Sequence, residues 1–300
     1  MEKTGHEILT RQNNAYEQHQ PLISVHLMTM DDANPELSRL GMYERRLNDA
    51  ASIASVFNLE VVSNCGGKFS EATMDKVQRI IDQFSFPIVM TFCDGIVKGR
   101  NLTLSNAVGP LSFFWDDDCV LLPDALSVFQ VMMEKLKTSD FCAAGVRSVD
   151  LDYKHYKPRP GLKPCLAYPE LRRLADDEVI DYIGDVIPAG IHGMAFLMYT
   201  KPLREVGGFA SFLRNQGEWG AVWTELWRQK GLSCVYVLRP EVKILHDHAP
   251  FSPNRTMSGR FAESCIYMIF YAYIYGIEPQ DPLYKIGQER YLRAWLKLIK

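Results

Sequence analysis

Residues 111–118, Leu111-Ser112-Phe113-Phe114-Trp115-Asp116-Asp117-Asp118, join an apolar run directly to three carboxylates. The apolar part is short and continuous, which is typical of a buried strand. Three adjacent carboxylates repel one another, and burial at a strand end raises the pKa of at least one of them unless a cation neutralises the group. The stretch therefore predicts a buried strand that ends in a polar loop with a need for positive charge.

Upstream of this stretch, short apolar runs alternate with amphipathic segments. The predicted strands are 22–30, 59–62, 88–92 and 111–115, and the predicted helices are 36–57, about 77–84 and 102–107. Alternation at this spacing predicts an α/β domain with a mostly parallel sheet that helices flank on both faces. Ligands of such sheets bind beyond the carboxyl ends of the strands. The polar loops after the first, second and fourth strands are therefore the candidate binding loops.

The second half of the chain is less regular. Its predicted strands are 141–146, 194–199, 234–238 and 242–245, its main predicted helices begin near Pro123 and Trp219, and residues 153–168 form a predicted proline-rich loop. The sequence contains no repeat and no linker-like charge run. We therefore expect one domain over residues 21–256, between a polar N-terminal tail (1–20) and a helical C-terminal appendage (257–300).

Composition excludes several classes of protein. Hydrophobic residues make up 47 % and charged residues 23 % of the chain, which is the profile of an ordinary globular protein. The net charge of −3 offers no basic face for nucleic acid. The seven cysteines are an odd number without a CxxC pair, which favours reduced thiols in a cytoplasmic protein.

Neither end of the sequence predicts a membrane-spanning segment. Residues 1–20 are polar and lack the pattern of a secretory signal. The apolar run at residues 265–277 is shorter than the ~18 residues that a spanning helix needs and is rich in tyrosine. We expect a packed helix there, and its aromatic face leaves three alternatives open: a homo-oligomer interface, a cap over the binding cleft, or peripheral contact with the inner face of a membrane.

The aspartate triplet itself has two interpretations. If the chain stays extended, Asp116 and Asp118 lie on one face and Asp117 on the other. Two carboxylates on one face suit Mg²⁺ or Mn²⁺, which keep open positions for diphosphate oxygens. The alternative is a solvated acidic turn that caps the helix beginning near Pro123. Spacing alone does not choose between them.

The surroundings of the triplet resemble the core signature of family 2 glycosyltransferases, which are nucleotide-sugar-dependent enzymes with the GT-A fold. The matching pieces, in their expected order, are Lys98-Gly99-Arg100-Asn101, 113–118 with Leu122-Pro123, 193–198, 203–209, and the distal segment from Gly217-Glu218 to His246. The resemblance covers roughly residues 22–248, about three-quarters of the chain. It implies a metal-dependent GT-A enzyme with a nucleotide-binding half at about 21–123 and an acceptor half at about 124–256.

The resemblance also implies roles for individual residues on the donor side. Those expected to bind the donor are Met30, Asp31, Asn64, Arg100, Asn101, Asp116 and Asp117. Those expected to hold Mn²⁺ or Mg²⁺ are Asp118, as the principal ligand, with Asp116, His246 and His248. An Asp-x-Asp motif with a histidine after the last core strand is the usual metal site of this fold, and Asp118 and His246 occupy those places.

On the acceptor side the sequence departs from the family pattern twice. It has Ala210 after Gly208-Phe209 where the family has aspartate, and Glu218-Trp219 where the family has Glu-Asp. Glu218 is therefore the predicted general base, with Asp247 and then Asp185 as substitutes. His192 and Trp219 are predicted to face the acceptor, although Trp219, Trp223 and Trp227 share one helical face, which is more typical of core.

Three functions compete. The leading one is an inverting transfer of a sugar, from a UDP-sugar by preference, to a hydroxyl of a glycan, lipid-linked, peptide or small-molecule acceptor. A nucleotide-sugar-binding module without a competent base is the second, since Trp219 replaces the usual aspartate. A sugar nucleotidyltransferase is the third, but such enzymes carry a glycine-rich basic loop, whereas residues 30–35 are acidic and lack glycine.

Overall fold

The apolar stretches of the sequence become the strands of one mixed sheet. The computed structural model describes residues 9–17, 20–31, 38–67, 69–149, 183–186, 190–191, 193–209 and 218–246. Within these residues the strands are β1 (Leu9–Gln12), β2 (Ile23–Asp31), β3 (Leu59–Gly67), β4 (Ile88–Phe92), β5 (Leu111–Asp116), β6 (Cys119–Leu122), β7 (Ala143–Ser148), β8 (Gly184–Val186), β9 (Ala195–Tyr199), β10 (Cys234–Leu238) and β11 (Lys243–His246).

Helices cover both faces of this sheet. Within the described residues they are α1 (Leu40–Ala54), α2 (Glu71–Ile81), α3 (Ile96–Asn106), α4 (Ala125–Lys137), α5 (Thr200–Glu205) and α6 (Glu218–Lys230), and residues Asn14–Glu17 form a single 3-10 turn. The predicted helices 36–57 and 102–107 correspond to α1 and α3. Helix α3 begins six residues earlier than predicted because its first turns carry no clear apolar period.

The strand order confirms the predicted fold class. The sheet runs β1-β4-β3-β2-β5-β9-β7-β10-β8, and β11 extends it from β7 and pairs with β6. Strands β2, β3, β4 and β5 are parallel, and β7 and β10 continue in the same direction beyond the antiparallel β9. The carboxyl ends of these six strands therefore meet at one edge, which is where the candidate binding loops lie.

Strand β5 is buried on both faces, as its apolar run predicts. Phe113 packs against Phe129 of α4 on one face, with ring centroids 5.5 Å apart. Phe114 packs against Trp219 of α6 on the other face, with centroids 4.8 Å apart. Helices on both faces of the sheet therefore pack directly on β5.

Three strands were not predicted: β1, β6 and β8, the last of which has three residues and pairs antiparallel with β10 at the other edge of the sheet. Strand β1 lies inside the stretch predicted as a polar tail and pairs antiparallel with β4 at the edge of the sheet. Strand β6 follows β5 after a two-residue turn and pairs with β11. None of the three has the long apolar run by which the other strands were recognised, since β1 is mostly exposed and β6 and β8 are only four and three residues long.

Several expectations concern residues that the structure describes only in part. Five of the seven cysteines are described, and each is a buried free thiol. No helix among the described residues is both long enough and apolar enough to span a bilayer. The proline-rich loop 153–168 and the appendage 257–300 lie outside the described residues.

Asn13 ties the N-terminal segment to the rest of the domain. Its side-chain Nδ2 donates to the carbonyls of Phe84 and Phe86 at 3.1 and 2.9 Å, and its Oδ1 accepts from the Ile88 N–H at 3.0 Å. The residue is only 3 % exposed. A buried amide with this many partners is costly to remove, because the backbone groups it satisfies lose their bonds.

We predict that Asn13→Ala lowers the free energy of unfolding by about 1–3 kcal/mol, since it leaves buried backbone groups unsatisfied. Urea unfolding measures the change. The matched control is Asn48→Ala, whose amide donates to the Glu44 carbonyl on the exposed side of α1 and should change stability by less than about 0.5 kcal/mol. Equal effects of the two variants would contradict the role of Asn13.

Candidate active site

The carboxyl ends of β2, β3 and β5 bring the predicted donor residues to one edge. In the sheet register Met28 of β2 lies between Asn64 of β3 and Asp116 of β5. Strand β2 continues past Met28, so Met30 and Asp31 lie at the same edge of the sheet as the aspartates. The alternation of strands and helices in the sequence is what predicted this convergence.

The aspartate triplet forms a turn. Strand β5 ends at Asp116, residues 117–118 turn, and β6 begins at Cys119. The chain therefore does not stay extended, and the alternation of faces expected for an extended triplet does not apply. The triplet also does not cap the following helix, because Asp124 does so by accepting from the Ser127 N–H at 2.8 Å.

Arg100 of α3 compensates the first aspartate. Its Nη2 donates to Asp116 Oδ1 at 3.2 Å, and its guanidinium carbon lies 5.1 Å from the ring centroid of Trp219. Burial raises the pKa of Asp116 to about 6, the Arg100 charge opposes that rise and the neighbouring Asp118 adds to it. The predicted requirement for positive charge at this strand end is therefore met in part by α3.

Arg39 compensates the other two aspartates, and the sequence did not predict it. Its Nε donates to Asp117 Oδ2 at 3.1 Å, its Nη2 donates to Asp117 Oδ1, and the same Nη2 lies 3.1 Å from Asp118 Oδ2. The side chain of Asp117 is fully buried, so this bidentate pair supplies its counter-charge. No periodic pattern links positions 39 and 117, and only the fold brings them together.

A neutral histidine joins the helix that carries Arg100 to the sheet. His26 lies at 1 % exposure on β2, with Nδ1 3.1 Å from Thr103 Oγ1 of α3 and Nε2 3.0 Å from Ser112 Oγ of β5. Burial, together with the charges of Arg100 and Arg204, lowers the pKa of His26 to about 3. The uncharged ring therefore joins α3 to β5 one turn away from Arg100.

Asn101 anchors a turn of the acceptor half. Its Nδ2 donates to the Phe209 carbonyl at 2.8 Å, and its Oδ1 accepts from the Phe209 N–H at 2.9 Å. The preceding Gly208 has a φ of +70°, and a Cβ there would lie 2.9 Å from Asn101 Oδ1. The predicted contact of Asn101 with the donor stays a prediction, but the conformation explains why this turn has glycine.

Asp31 and Asn64 already have protein partners. Asp31 Oδ1 accepts from Ser38 Oγ at 2.6 Å and Oδ2 from Thr73 Oγ1 at 2.7 Å. Asn64 Nδ2 donates to the Cys93 carbonyl at 2.9 Å. Both side chains are almost fully buried, so they fix the loops after β2 and β3, and their predicted contact with a nucleoside stays a prediction.

The histidine predicted to bind metal lies on the strand next to the aspartate turn. In the antiparallel pairing of β6 with β11, His246 is opposite Cys119, which directly follows Asp118. Within the described part of the chain, no three histidine, cysteine or acidic side chains are grouped as a metal site. The further candidates His248, Asp247 and His192 lie outside the described residues.

Trp219 lies in an aromatic cluster that includes Phe114, Phe196, Phe209 and Trp223. It is 3 % exposed, so its rings are not free to stack on a sugar, and the core interpretation of this tryptophan series fits Trp219 and Trp223. A Cβ at Gly193 would lie 2.5 Å from Trp219 Nε1, so the indole packs directly on that glycine.

The two candidate bases that the structure describes lie in different places. Glu218 is the first residue of α6 and precedes Trp219, whose ring contacts Arg100. Asp185 lies on β8 at the far edge of the sheet, separated from β5 by three strands, and pairs with Lys135 at 2.5 Å. Of these two, Glu218 is therefore better placed to be the general base than Asp185.

We predict that Asp116 makes the metal-free protein less stable as the pH rises from about 4 to about 6. The folded-state pKa of Asp116, about 6, exceeds its ordinary value of 3.8, so between these values the native state binds more protons than the unfolded state. Asp116→Asn should make the stability change smaller over this interval. Urea unfolding with a chelator present measures the free energy of unfolding of both proteins between pH 4 and 6. The same dependence on pH in the wild type and in Asp116→Asn would contradict the raised pKa.

No protein-family model matches the sequence, and neither does any curated protein. Solved structures do match. The mannosyltransferase PcManGT from Pyrobaculum calidifontis, in complex with GDP-Man and Mn²⁺, has a TM-score of 0.54 at 15 % identity, over 92 % of this chain and 71 % of its own. GalNAc-T7 with UDP, GalNAc and Mn²⁺ has a TM-score of 0.55 at 13 % identity, over 90 % and 54 %.

The chain therefore spans about half the length of GalNAc-T7 and more of the mannosyltransferase. Likeness at such low identity concerns the arrangement of the backbone. Together with the strand order, it shows that the described residues have the GT-A fold, a mixed and mostly parallel sheet between helices.

Proposed function

We propose that this chain is a divalent-metal-dependent, inverting glycosyltransferase that uses a nucleoside-diphosphate sugar, a UDP-sugar by preference, and an acceptor hydroxyl. The observation that carries the proposal is the aspartate turn, Asp116 to Asp118, at the carboxyl edge of a GT-A sheet. The two similar structures are complexes with GDP-Man or UDP together with Mn²⁺, which supports this ligand class. The resemblance to family 2 supports the inverting mode.

A divalent cation suits the donor set at this edge. Asp116 and Asp118 offer the hard oxygen ligands that Mn²⁺ and Mg²⁺ prefer, and the turn already attracts two guanidinium groups. Asp118 would be the principal ligand, with Asp116, His246 and His248 as the others. When bound, the cation would neutralise the charge that builds on the departing diphosphate.

The chain's own residues then hold the donor and move one proton. Arg100 keeps Asp116 oriented toward the sugar side of the donor, and His26 with Thr103 keeps α3 in place beneath it. The acceptor oxygen attacks the anomeric carbon while the bond from that carbon to the diphosphate oxygen breaks. The hydroxyl proton passes to the Glu218 carboxylate, and the single displacement inverts the anomeric centre.

We predict that Asp118→Asn abolishes metal-dependent turnover of the donor and leaves the fold intact, since the carboxylates repel one another without metal. His246→Ala should weaken Mn²⁺ binding as well. The assay is UDP or GDP release over a panel of nucleotide sugars, with thermal unfolding as the test of folding. At 100 times its dissociation constant, a nucleotide with Mn²⁺ should add about 2.7 kcal/mol of stability to the wild type.

Asp94→Asn is the matched control, because Asp94 is exposed at the same edge of the sheet, after β4. It should retain turnover. Normal turnover by Asp118→Asn in the presence of a chelator would refute the metal role, and a nucleotide that binds without turnover in the wild type would favour the binding-module alternative.

We predict that Glu218→Gln lowers turnover by about 10²–10⁴ with little change in the donor dissociation constant, which is the signature of a lost general base. The control is Glu225→Gln, on the same helix two turns further along. A loss below about tenfold, or one explained by weaker donor binding, would assign the base to Asp247 instead.

A further inference from the structure

Arg39 lies against the aspartate turn, and the proposed reaction gives it no task. Its side chain is 15 % exposed and contacts both Asp117 and Asp118, whose side chains are 0 % and 10 % exposed. The Arg39 guanidinium thus contacts an oxygen of Asp118, the proposed principal metal ligand. A cation already occupies part of the place where a second cation would bind.

The backbone holds Arg39 in this position. Its N–H donates to the Met30 carbonyl at 3.0 Å, and the preceding Ser38 donates through Oγ to Asp31 Oδ1 at 2.6 Å. Both acceptors belong to the end of β2, which pairs directly with β5. The guanidinium therefore reaches the aspartates from a point that is fixed relative to them.

Helix propensity does not explain an arginine here. Arg39 is the N-cap residue of α1, it makes no side-chain capping bond, and the first turn of α1 has no acidic residue. A cation at a helix N-terminus adds to the positive end of the helix dipole, which is unfavourable unless an anion lies nearby. Asp117 and Asp118 are that anion, so both the arginine and the helix end direct positive charge at the turn.

We infer that Arg39 is a built-in counter-cation that competes with the divalent cation for Asp118 and so weakens metal binding to the nucleotide-free protein. The inference rests on the proposed metal site. Its physical basis is that a divalent ion on Asp118 and the guanidinium beside it carry charges of the same sign at close range. The opposite possibility is that Arg39 orients Asp118 for the metal, and it predicts the opposite change in affinity.

The test is the affinity for Mn²⁺ alone, measured on nucleotide-free protein from the electron paramagnetic resonance signal of free Mn²⁺. Arg39→Gln should bind Mn²⁺ at least about tenfold more tightly than the wild type. Arg45→Gln makes the same change of net charge on the exposed side of α1 and should bind as the wild type does. An unchanged or weaker affinity of Arg39→Gln would overturn the inference.

A second pair of variants covers the case in which Arg39→Gln does not fold because Asp117 is left buried without its partner. The double variant Arg39→Gln/Asp117→Asn removes both partners and should bind Mn²⁺ more tightly than Asp117→Asn, which keeps the guanidinium beside Asp118. Equal affinities would overturn the inference. If UDP and GDP also fail to promote Mn²⁺ binding in any variant, the proposed metal site fails with it, whereas nucleotide-dependent binding without an Arg39 effect overturns this inference alone.

Discussion

Charge compensation at the end of β5 is the constraint on which the site depends. Three carboxylates lie on one turn, and guanidinium groups reach them from opposite faces of the sheet, Arg100 from α3 and Arg39 from the start of α1. Losing either cation would leave a carboxylate at a low-dielectric strand end, which is far costlier than losing an exposed pair. The ion pairs of the turn therefore hold the start of α1 and the first half of α3 close to the end of β5.

Packing below the turn supports the same geometry. Phe114 stacks on His26, with ring centroids 4.1 Å apart, and contacts Trp219 edge to face. This layer links β2, β5 and α6, while the imidazole nitrogens hold Thr103 and Ser112. A buried polar group that is satisfied on both sides specifies one arrangement of its neighbours, which an apolar residue of the same size does not. The polar and aromatic parts of the core thus hold Arg100 in register with Asp116.

The sequence predicted the elements whose signal is local. Strands β2 to β5 have continuous apolar runs, and their parallel order places the aspartates at the ligand-binding edge. Strand β6 was not predicted because its four residues show too little hydrophobic pattern. The role of Arg39 was not predicted because an ion pair between distant positions leaves no periodicity in the sequence. Asn101 shows the same limit, since its bonds to the Phe209 backbone depend on how α3 and α5 meet.

The pairing of β6 with β11 has a consequence for folding. It joins Cys119 to His246, roughly 130 residues apart in the chain, and closing so long a loop costs entropy that only neighbouring structure repays. The pairings among β2 to β5 join residues that are at most 88 apart, as between Ile23 and Leu111, so we expect their sheet to form first. A chain still emerging from the ribosome would then form its aspartate turn before β11 has been synthesised. The side of the site next to β6 would be completed only when β11 pairs with it.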